Sequence, residues 1–250
     1  MSRRQPLTPV YGLHAAEAAL VAGRGRELWL ARKEGEATVR LRQLAEERGV
    51  RVRTATAEEL RGHAPQGGDQ GCLVLATPLE RLDLAALVAR LAGRRDGLVV
   101  LLDRVQDPHN LGSCLRTAAC FGVAAVVCPS HRSAAMTPAA VKVASGAAER
   151  VPVVAVGSLL DAVERLKGAG VWIFAAEEGA PQAAAAVDLT GPVGLILGGE
   201  GSGVRTSVVR AADATVTLTP PSSFTTLNVA AATACFLYEV ARQRRAAAEG

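Results

Sequence analysis

From Leu98 onward the chain alternates short, wholly apolar runs with longer segments whose apolar residues recur every three or four positions. The runs Leu98–Leu102, Ala124–Cys128, Pro152–Val156, Val171–Ala175, Val193–Leu197 and Ala214–Leu218 are too short for helices and lack in–out alternation. They predict strands of a parallel sheet covered on both faces. The Ala-rich stretch Leu227–Arg242 predicts a last helix running out into Arg242, Arg244 and Arg245, cations that suit a helix C-terminus. Upstream the elements are shorter and more charged. Helices are expected over Val10–Val21, Glu36–Arg48 and Ala57–Gly62, and strands over Glu27–Leu30, Val50–Thr54 and Cys72–Ala76, with a Gly-rich loop at Pro65–Gly71. The fold class is therefore α/β in two parts. A small α/β domain spans 1–76, a connector with a short amphipathic helix at Leu82–Leu91 spans 77–97, and a doubly wound α/β domain spans 98–250.

One strand-to-helix junction carries unusual chemistry. Asp103–Ala118 reads D-R-V-Q-D-P-H-N-L-G-S-C-L-R-T-A, directly after a buried strand. Open α/β sheets place their ligands outside the carboxyl ends of strands, and Asp, Pro, Asn and Gly make the turn that a helix start needs. Arg116 falls on the helix that follows. By itself this is also what an ordinary turn with a solvated Arg looks like. Two further clusters stand with it: Leu195–Gly203, L-I-L-G-G-E-G-S-G, and Leu218–Glu239, L-T-P-P-S-S-F-T-T-L-N-V-A-A-A-T-A-C-F-L-Y-E.

Composition narrows the setting. With 250 residues, 49% of them hydrophobic, the chain can bury a substantial core. Of its 28 basic residues 25 are Arg, and the net charge is +4. Residues 1–76 carry 12 basic and 9 acidic side chains, so +3 of the surplus sits there. That suits a polyanionic partner gripped by the first domain, and equally a solvated charged surface. The five cysteines, Cys72, Cys114, Cys120, Cys128 and Cys235, form no C-x-x-C pair and mostly lie among Val, Ala and Leu. They read as reduced thiols, and with no signal peptide and no apolar run near the ~20 residues of a membrane span, a cytoplasmic protein without membrane contact is expected. No Cys/His/Asp clustering suits a metal.

In order and spacing the three segments resemble the three motifs of the SpoU branch of the SPOUT RNA methyltransferases, over roughly Leu98 to Arg242. The opening V-Y-G-L-H-A-A-E-A-A-L at Val10–Leu20 is similar to the start of the subfamily that modifies a guanosine of 23S ribosomal RNA. The resemblance implies an L30e-like RNA-binding N-terminal domain and a C-terminal SPOUT domain whose chain threads a deep trefoil knot, a feature essentially absent from other folds. It implies S-adenosylmethionine as cofactor, 23S rRNA as partner, ribose 2′-O-methylation as activity, and a homodimer with the last helix in the interface.

Residue by residue, the resemblance makes Asn110 and Arg116, Glu200, and Thr226 and Asn228 the catalytic set. Gly198, Gly199 and Gly201, with Leu218 and Leu227, become the cofactor contacts, the glycines by letting backbone approach the adenosyl group. Each has a plainer reading: a helix cap for Asn228, a turn or cap residue for Asn110, a helix N-terminal acid for Glu200, core packing for the two leucines. His109 holds a supporting position at most. The third motif departs from the family pattern at Leu218-Thr219-Pro220-Pro221 and at Thr226-Leu227-Asn228-Val229-Ala230, where the family has a Pro-Met pair and Ser-Leu-Asn-Val-Ser. Alternatives are a tRNA-directed or antibiotic-resistance enzyme of the same family, a non-catalytic ribosome-assembly factor, and, as an outsider, a NAD-binding dehydrogenase.

Overall fold

The computed structural model describes residues 6–33, 35–64, 68–131, 133–199, 201, 203–218 and 226–249. The chain divides into two units. One holds Met1–Glu80 together with Met136–Arg150; the other holds Arg81–Ala135 and Val151–Gly250.

The first unit is built on strands β1 (Thr8–Tyr11), β2 (Gly25–Ala31), β3 (Arg51–Ala55) and β4 (Cys72–Ala76) in the order β1-β4-β2-β3. β4 runs antiparallel to both neighbours, and β2 and β3 run parallel. The expected helix over Val10–Val21 is a correction. Thr8–Tyr11 pairs with β4 as a strand, Gly12 turns the chain at φ +90°, and helix α1 (Leu13–Val21) starts only there. Edge pairing on an existing sheet outweighs the helical spacing of Val10 and Tyr11, both of which it buries. α2 (Glu36–Glu47) and α3 (Ala57–His63) follow as expected, and Thr56 caps α3 by accepting from the Glu59 amide. The segment that joins this unit from later in the chain contains α6 (Pro138–Val143) and a 3-10 turn at Ala147–Glu149. Arg24, 12% exposed, meets Glu149, 9% exposed, in a two-pronged ion pair and also donates to the Thr77 carbonyl.

The second unit carries seven strands: β5 (Leu98–Asp103), β6 (Ala125–Pro129), β7 (Val153–Val156), β8 (Trp172–Ala176), β9 (Gln182–Ala183), β10 (Val193–Gly198) and β11 (Ala214–Thr217). All pair in parallel, in the order β7-β6-β5-β10-β8-β11-β9. Alternate residues of β5 face opposite sides of the sheet, and both sides are dry. Val99 and Leu101 join a core with Leu84, Leu87 and Leu91 of α4 (Leu84–Leu91) and with Leu159, Val163 and Leu166 of α7 (Leu159–Gly168). The segment expected as a connector thus supplies α4, capped by Asp83, to that core. Across the sheet, α5 (Pro108–Cys120) and α9 (Val229–Glu249) pack on each other, α5 against β6 and α9 against β10.

The last helix is also a correction. It runs to Glu249, so Arg242, Arg244 and Arg245 lie within it rather than at its end. Arg244 is used structurally: its guanidinium donates to the carbonyls of Asp96, Gly97 and Gly191 at the amino ends of β5 and β10. The strand order reverses direction about β5 and β10, and open α/β sheets place their ligands at the carboxyl ends of such strands. As for the expected knot, Thr219–Thr225, part of the third motif, lies outside the described residues.

Candidate active site

β5 and β10 are neighbours in register, with Asp103 opposite Gly198, so the first two motifs leave the sheet side by side. Beyond β5 the chain turns through Arg104 and enters α5 at Pro108, where a missing N–H costs nothing. Asp107 caps the helix by accepting from the His109 amide at 2.9 Å. Asn110 sits half-buried in the first turn. Arg116 lies six residues on, about 9 Å along the axis, exposed.

Asp103 ends an all-apolar strand and is fully buried, a position that demands a cationic partner. Arg205 provides it: its backbone N–H donates at 2.9 Å, Nε at 3.0 Å and Nη2 at 2.9 Å. The Gly199 amide donates to the Asp103 carbonyl at 2.8 Å. The loop after β10 is thereby strapped to the end of β5. The sequence reading omitted Asp103 and Arg205 as a pair. The signal was present, since an acid closing the run Leu98–Leu102 cannot be left uncompensated.

Two glycines of the second motif have a packing reason within the protein itself. A Cβ on Gly198 would collide with the backbone of Gly203 and Val204, and one on Gly199 with the Arg104 carbonyl. Gly201 has φ +73° and open surroundings, so its demand is conformational. Glu200 lies outside the described residues.

The third motif arrives at the N-terminus of α9. Asn228 Oδ1 accepts from the Ala230 amide at 2.8 Å, which makes it the cap of that helix. Its Nδ2 also donates to Asn110 Oδ1 at 3.0 Å. Asn228 is thus the helix cap of its plainer reading, and the same amide ties α9 to α5. Below this contact Cys114 meets Thr233 at 3.5 Å, and Thr233 returns a hydrogen bond to the Val229 carbonyl at 2.7 Å. Burial pushes the Cys114 thiol up to about 11, so it is a packing group rather than a nucleophile. Thr226 and Leu227 precede Asn228 on the surface; Leu227 is 45% exposed and is not a core leucine. Leu218 follows β11 half-buried. Of the expected site the structure joins Asn110 and Asn228 directly. It carries Arg116 on the helix that Asn110 begins. Among the described residues no group of three His, Cys, Asp or Glu side chains is arranged to hold a metal ion.

Comparison with known proteins assigns both parts of the chain. Residues 97–238 match the model of the SpoU rRNA Methylase family, and residues 9–82 match that of RNA 2'-O ribose methyltransferase substrate binding. A protein of Pseudomonas syringae pv. tomato named 23S rRNA (guanosine-2'-O-)-methyltransferase RlmB is 39% identical over 245 residues, covering 96% of this chain and 97% of its own. A protein of the same name from Coxiella burnetii is 37% identical over 243 residues, with coverage of 96% and 97%. Among solved structures, the SpoU methyltransferase AviRb from Streptomyces viridochromogenes in complex with AdoMet superposes with a TM-score of 0.79 at 25% identity, covering 96% of this chain and 92% of its own. The A. aeolicus TrmH/SpoU tRNA modifying enzyme reaches 0.55 at 27% identity and covers 66% of this chain and 84% of its own.

Proposed function

Because the chain belongs to the SpoU rRNA methylase family, we propose that it transfers the methyl group of S-adenosylmethionine to the ribose 2′-hydroxyl of a guanosine in 23S ribosomal RNA. The observation that carries this reading is the Asn110–Asn228 hydrogen bond, which joins the first and third motifs at the carboxyl edge of the sheet. The tRNA-modifying neighbour covers only 66% of the chain, whereas the two rRNA-named relatives extend along 96% of it, first unit included.

The residues at this edge suit the cofactor. Adenine needs an apolar clasp and polar backbone at its rim, and half-buried Leu218, just after β11, and exposed Leu227, just before α9, offer apolar side chains for it. When bound, the cofactor supplies an electrophilic methyl group on a sulfonium. The chain must supply the rest. A ribose hydroxyl is too weak an acid to react unaided at neutral pH, so developing charge on its oxygen needs a positioned base or a strong donor. Arg116 is the donor in this reading. A guanidinium keeps its proton, so Arg116 holds the adjacent phosphate and stabilises the oxyanion rather than acting as base. Asn110, held through Asn228, positions the ribose, with Glu200 and Thr226 completing the set. Gly198, Gly199 and Gly201 shape the loop between them.

The same proposal includes a trefoil knot closed by the third motif and a functional division into an RNA-gripping part, 1–76, a connector, 77–97, and a methyl-transferring part, 98–250. It also includes a cytoplasmic location, a homodimer through α9 and a metal-free reaction. Support for the dimer is the apolar surface of α9, where Tyr238 is 54% exposed. Support for the compartment is five free cysteines and no helix long and apolar enough to cross a membrane among the described residues.

The test is direct. Purified protein is incubated with methyl-labelled S-adenosylmethionine and unmodified 23S rRNA or tRNA, and alkali-resistant linkages are mapped. One marked 23S guanosine is expected. Transfer to tRNA alone, or cofactor binding with no transfer to either RNA or to a ribosome-assembly particle, would overturn the reading.

A further inference from the structure

Three described residues other than glycine adopt left-handed backbone: Gln70, Arg104 and Ser145, at φ 54°, 59° and 49°. Two have a local account. The Gln70 side chain accepts from the Leu13 amide at 3.0 Å, which fixes its turn. Ser145 follows the C-cap of α6, the position where helices ordinarily turn left-handed. Arg104 has neither. It lies past the end of β5, exposed, and no described side chain pairs with it.

Its backbone is not free to relax. Asp103, one residue before, is locked to Arg205 and to the Gly199 amide. The Val105 carbonyl, one residue after, accepts from the Ala134 amide at 2.7 Å. The Arg104 carbonyl lies so close to Gly199 that a Cβ there would collide with it. The turn thus imposes a conformation that glycine adopts without strain and that Arg adopts at a steric cost. Strain held at a site mouth calls for a function of the side chain that bears it. What Arg brings, and glycine cannot, is a cation on a rigid base. It stands at the carboxyl edge of the sheet, on the junction that leads to Asn110 and Arg116, with exposed His131 beyond the end of the neighbouring strand β6.

The geometry points to Arg104 as a positioning residue that grips a backbone phosphate of the RNA next to the target ribose. A locked base spares the backbone part of the ordering cost and leaves only the side-chain torsions to be fixed, and a guanidinium suits phosphate oxygens in pairs. This inference rests on the RNA-methylating reading above. It goes beyond that reading by adding a strained, non-reacting cation to the substrate contacts.

The experiment compares wild type, Arg104→Gly, Arg104→Ala and Arg104→Lys. It measures KM for an unmodified 23S rRNA transcript and for S-adenosylmethionine, the salt dependence of RNA affinity, and Tm. For Arg104→Gly, KM for RNA is expected to rise about tenfold, with the log–log salt slope shallower by about 0.7 to 0.9, one phosphate contact. KM for S-adenosylmethionine stays put and Tm does not fall. Arg104→Ala shows the same RNA loss without the relief of strain, so its Tm does not exceed that of Arg104→Gly. Arg104→Lys keeps the slope. An unchanged KM and slope in Arg104→Gly would overturn the inference, as would a rise confined to KM for S-adenosylmethionine. Failure of wild type itself to methylate RNA would instead sink the underlying reading.

Discussion

Arg116 and Asp103 show how differently two charged residues sit on neighbouring elements, α5 and β5. Arg116 is exposed on α5, so removing it leaves no buried charge behind and the fold should tolerate Arg116→Ala. In the role proposed for it, its loss belongs to the transition state alone, where one donor to a developing oxyanion is worth about 10²–10³ in rate. Single-turnover transfer should therefore fall by that factor or more while the Kd for S-adenosylmethionine, read by calorimetry, stays within about twofold. Most of the activity surviving would remove Arg116 from the site. Asp103 is the reverse case. It is fully buried, and Arg205, with its side chain 37% exposed, can still reach water when deprived of its partner. Asp103→Asn should cost about 1–3 kcal/mol, less than a fully enclosed pair, measurable as a lower urea midpoint at unchanged m. At this scale the sequence revealed residue types and spacing, enough to single out Asn110 and Asn228, which the structure joins, and Arg116 on the helix that Asn110 begins. It concealed what depends on packing. The reason for Gly198 and Gly199 is the approach of backbone from Gly203 and Arg104, and the left-handed turn at Arg104 has no signature in its side chain.

Among the elements, α5 and α9 do most to shape the site, since their N-termini meet through Asn110 and Asn228. The far end of α9 is anchored independently. Arg244 donates to three carbonyls, and Gln243 donates to those of Ala184 and Val187 and accepts from the Leu189 amide. Burial pushes the Arg244 guanidinium below its ordinary range, and its hydrogen bonds to the three carbonyls hold it in place. Arg244→Met keeps the stem and removes the donors, leaving carbonyls to find water. It should destabilise by about 2 kcal/mol and speed amide exchange in the last turns of α9 before the rest of the helix. Uniform exchange along α9 would contradict the clamp. The thiols spread over strands and helices carry a second prediction. Cys72, Cys114 and Cys128 are buried, with pKa values pushed up to about 12, 11 and 11, while Cys120 and Cys235 are exposed. A thiol reagent at pH 8 should titrate two groups in the native protein and five after unfolding. Because the folded values lie above the ordinary thiol value of 9.0, the three buried thiols contribute stability that is complete below about pH 9. That contribution is lost as pH climbs through 9 toward 11 and 12, where the unfolded chain ionises first. Elements read from sequence fared by environment. The strands of the parallel sheet are continuous apolar runs and were legible to within a residue or so. β1, an edge strand whose residues also fit a helix, and β9, two residues long, were not, because pairing partners decide both.

For the whole molecule, division by sequence and division in space part company at Met136–Arg150. This stretch lies inside 97–238, the span of the methylase family match, yet it belongs spatially with Met1–Glu80. Burial within that first unit shows the dependence: Val141, Ala147 and Ala148 are buried, and the Arg24–Glu149 pair is nearly enclosed. No motif announces this, because the contact joins residues 125 apart in the chain and neither side chain is unusual in its local sequence. Cutting the chain after Glu80 would therefore do more than delete an RNA-gripping domain. It would strip Glu149 of its cation and uncover the apolar residues beside it, so residues 81–250 alone should be less stable than the corresponding part of the full chain. The full chain allows a cleaner version. Glu149→Gln leaves a mostly buried Arg24 facing a neutral amide, and breaking one partner of a buried pair costs about 3–5 kcal/mol. Arg24 retains its bond to the Thr77 carbonyl, which places the expected loss toward the lower end of that range. The double variant Arg24→Met with Glu149→Met removes both charges and should recover most of the loss, since apolar replacements of buried pairs are commonly near neutral. Thermal unfolding of the three proteins checks this. Recovery in the double variant assigns the 136–150 segment an electrostatic tether to the first unit, and equal loss in single and double variants would mean that apolar packing alone holds it there.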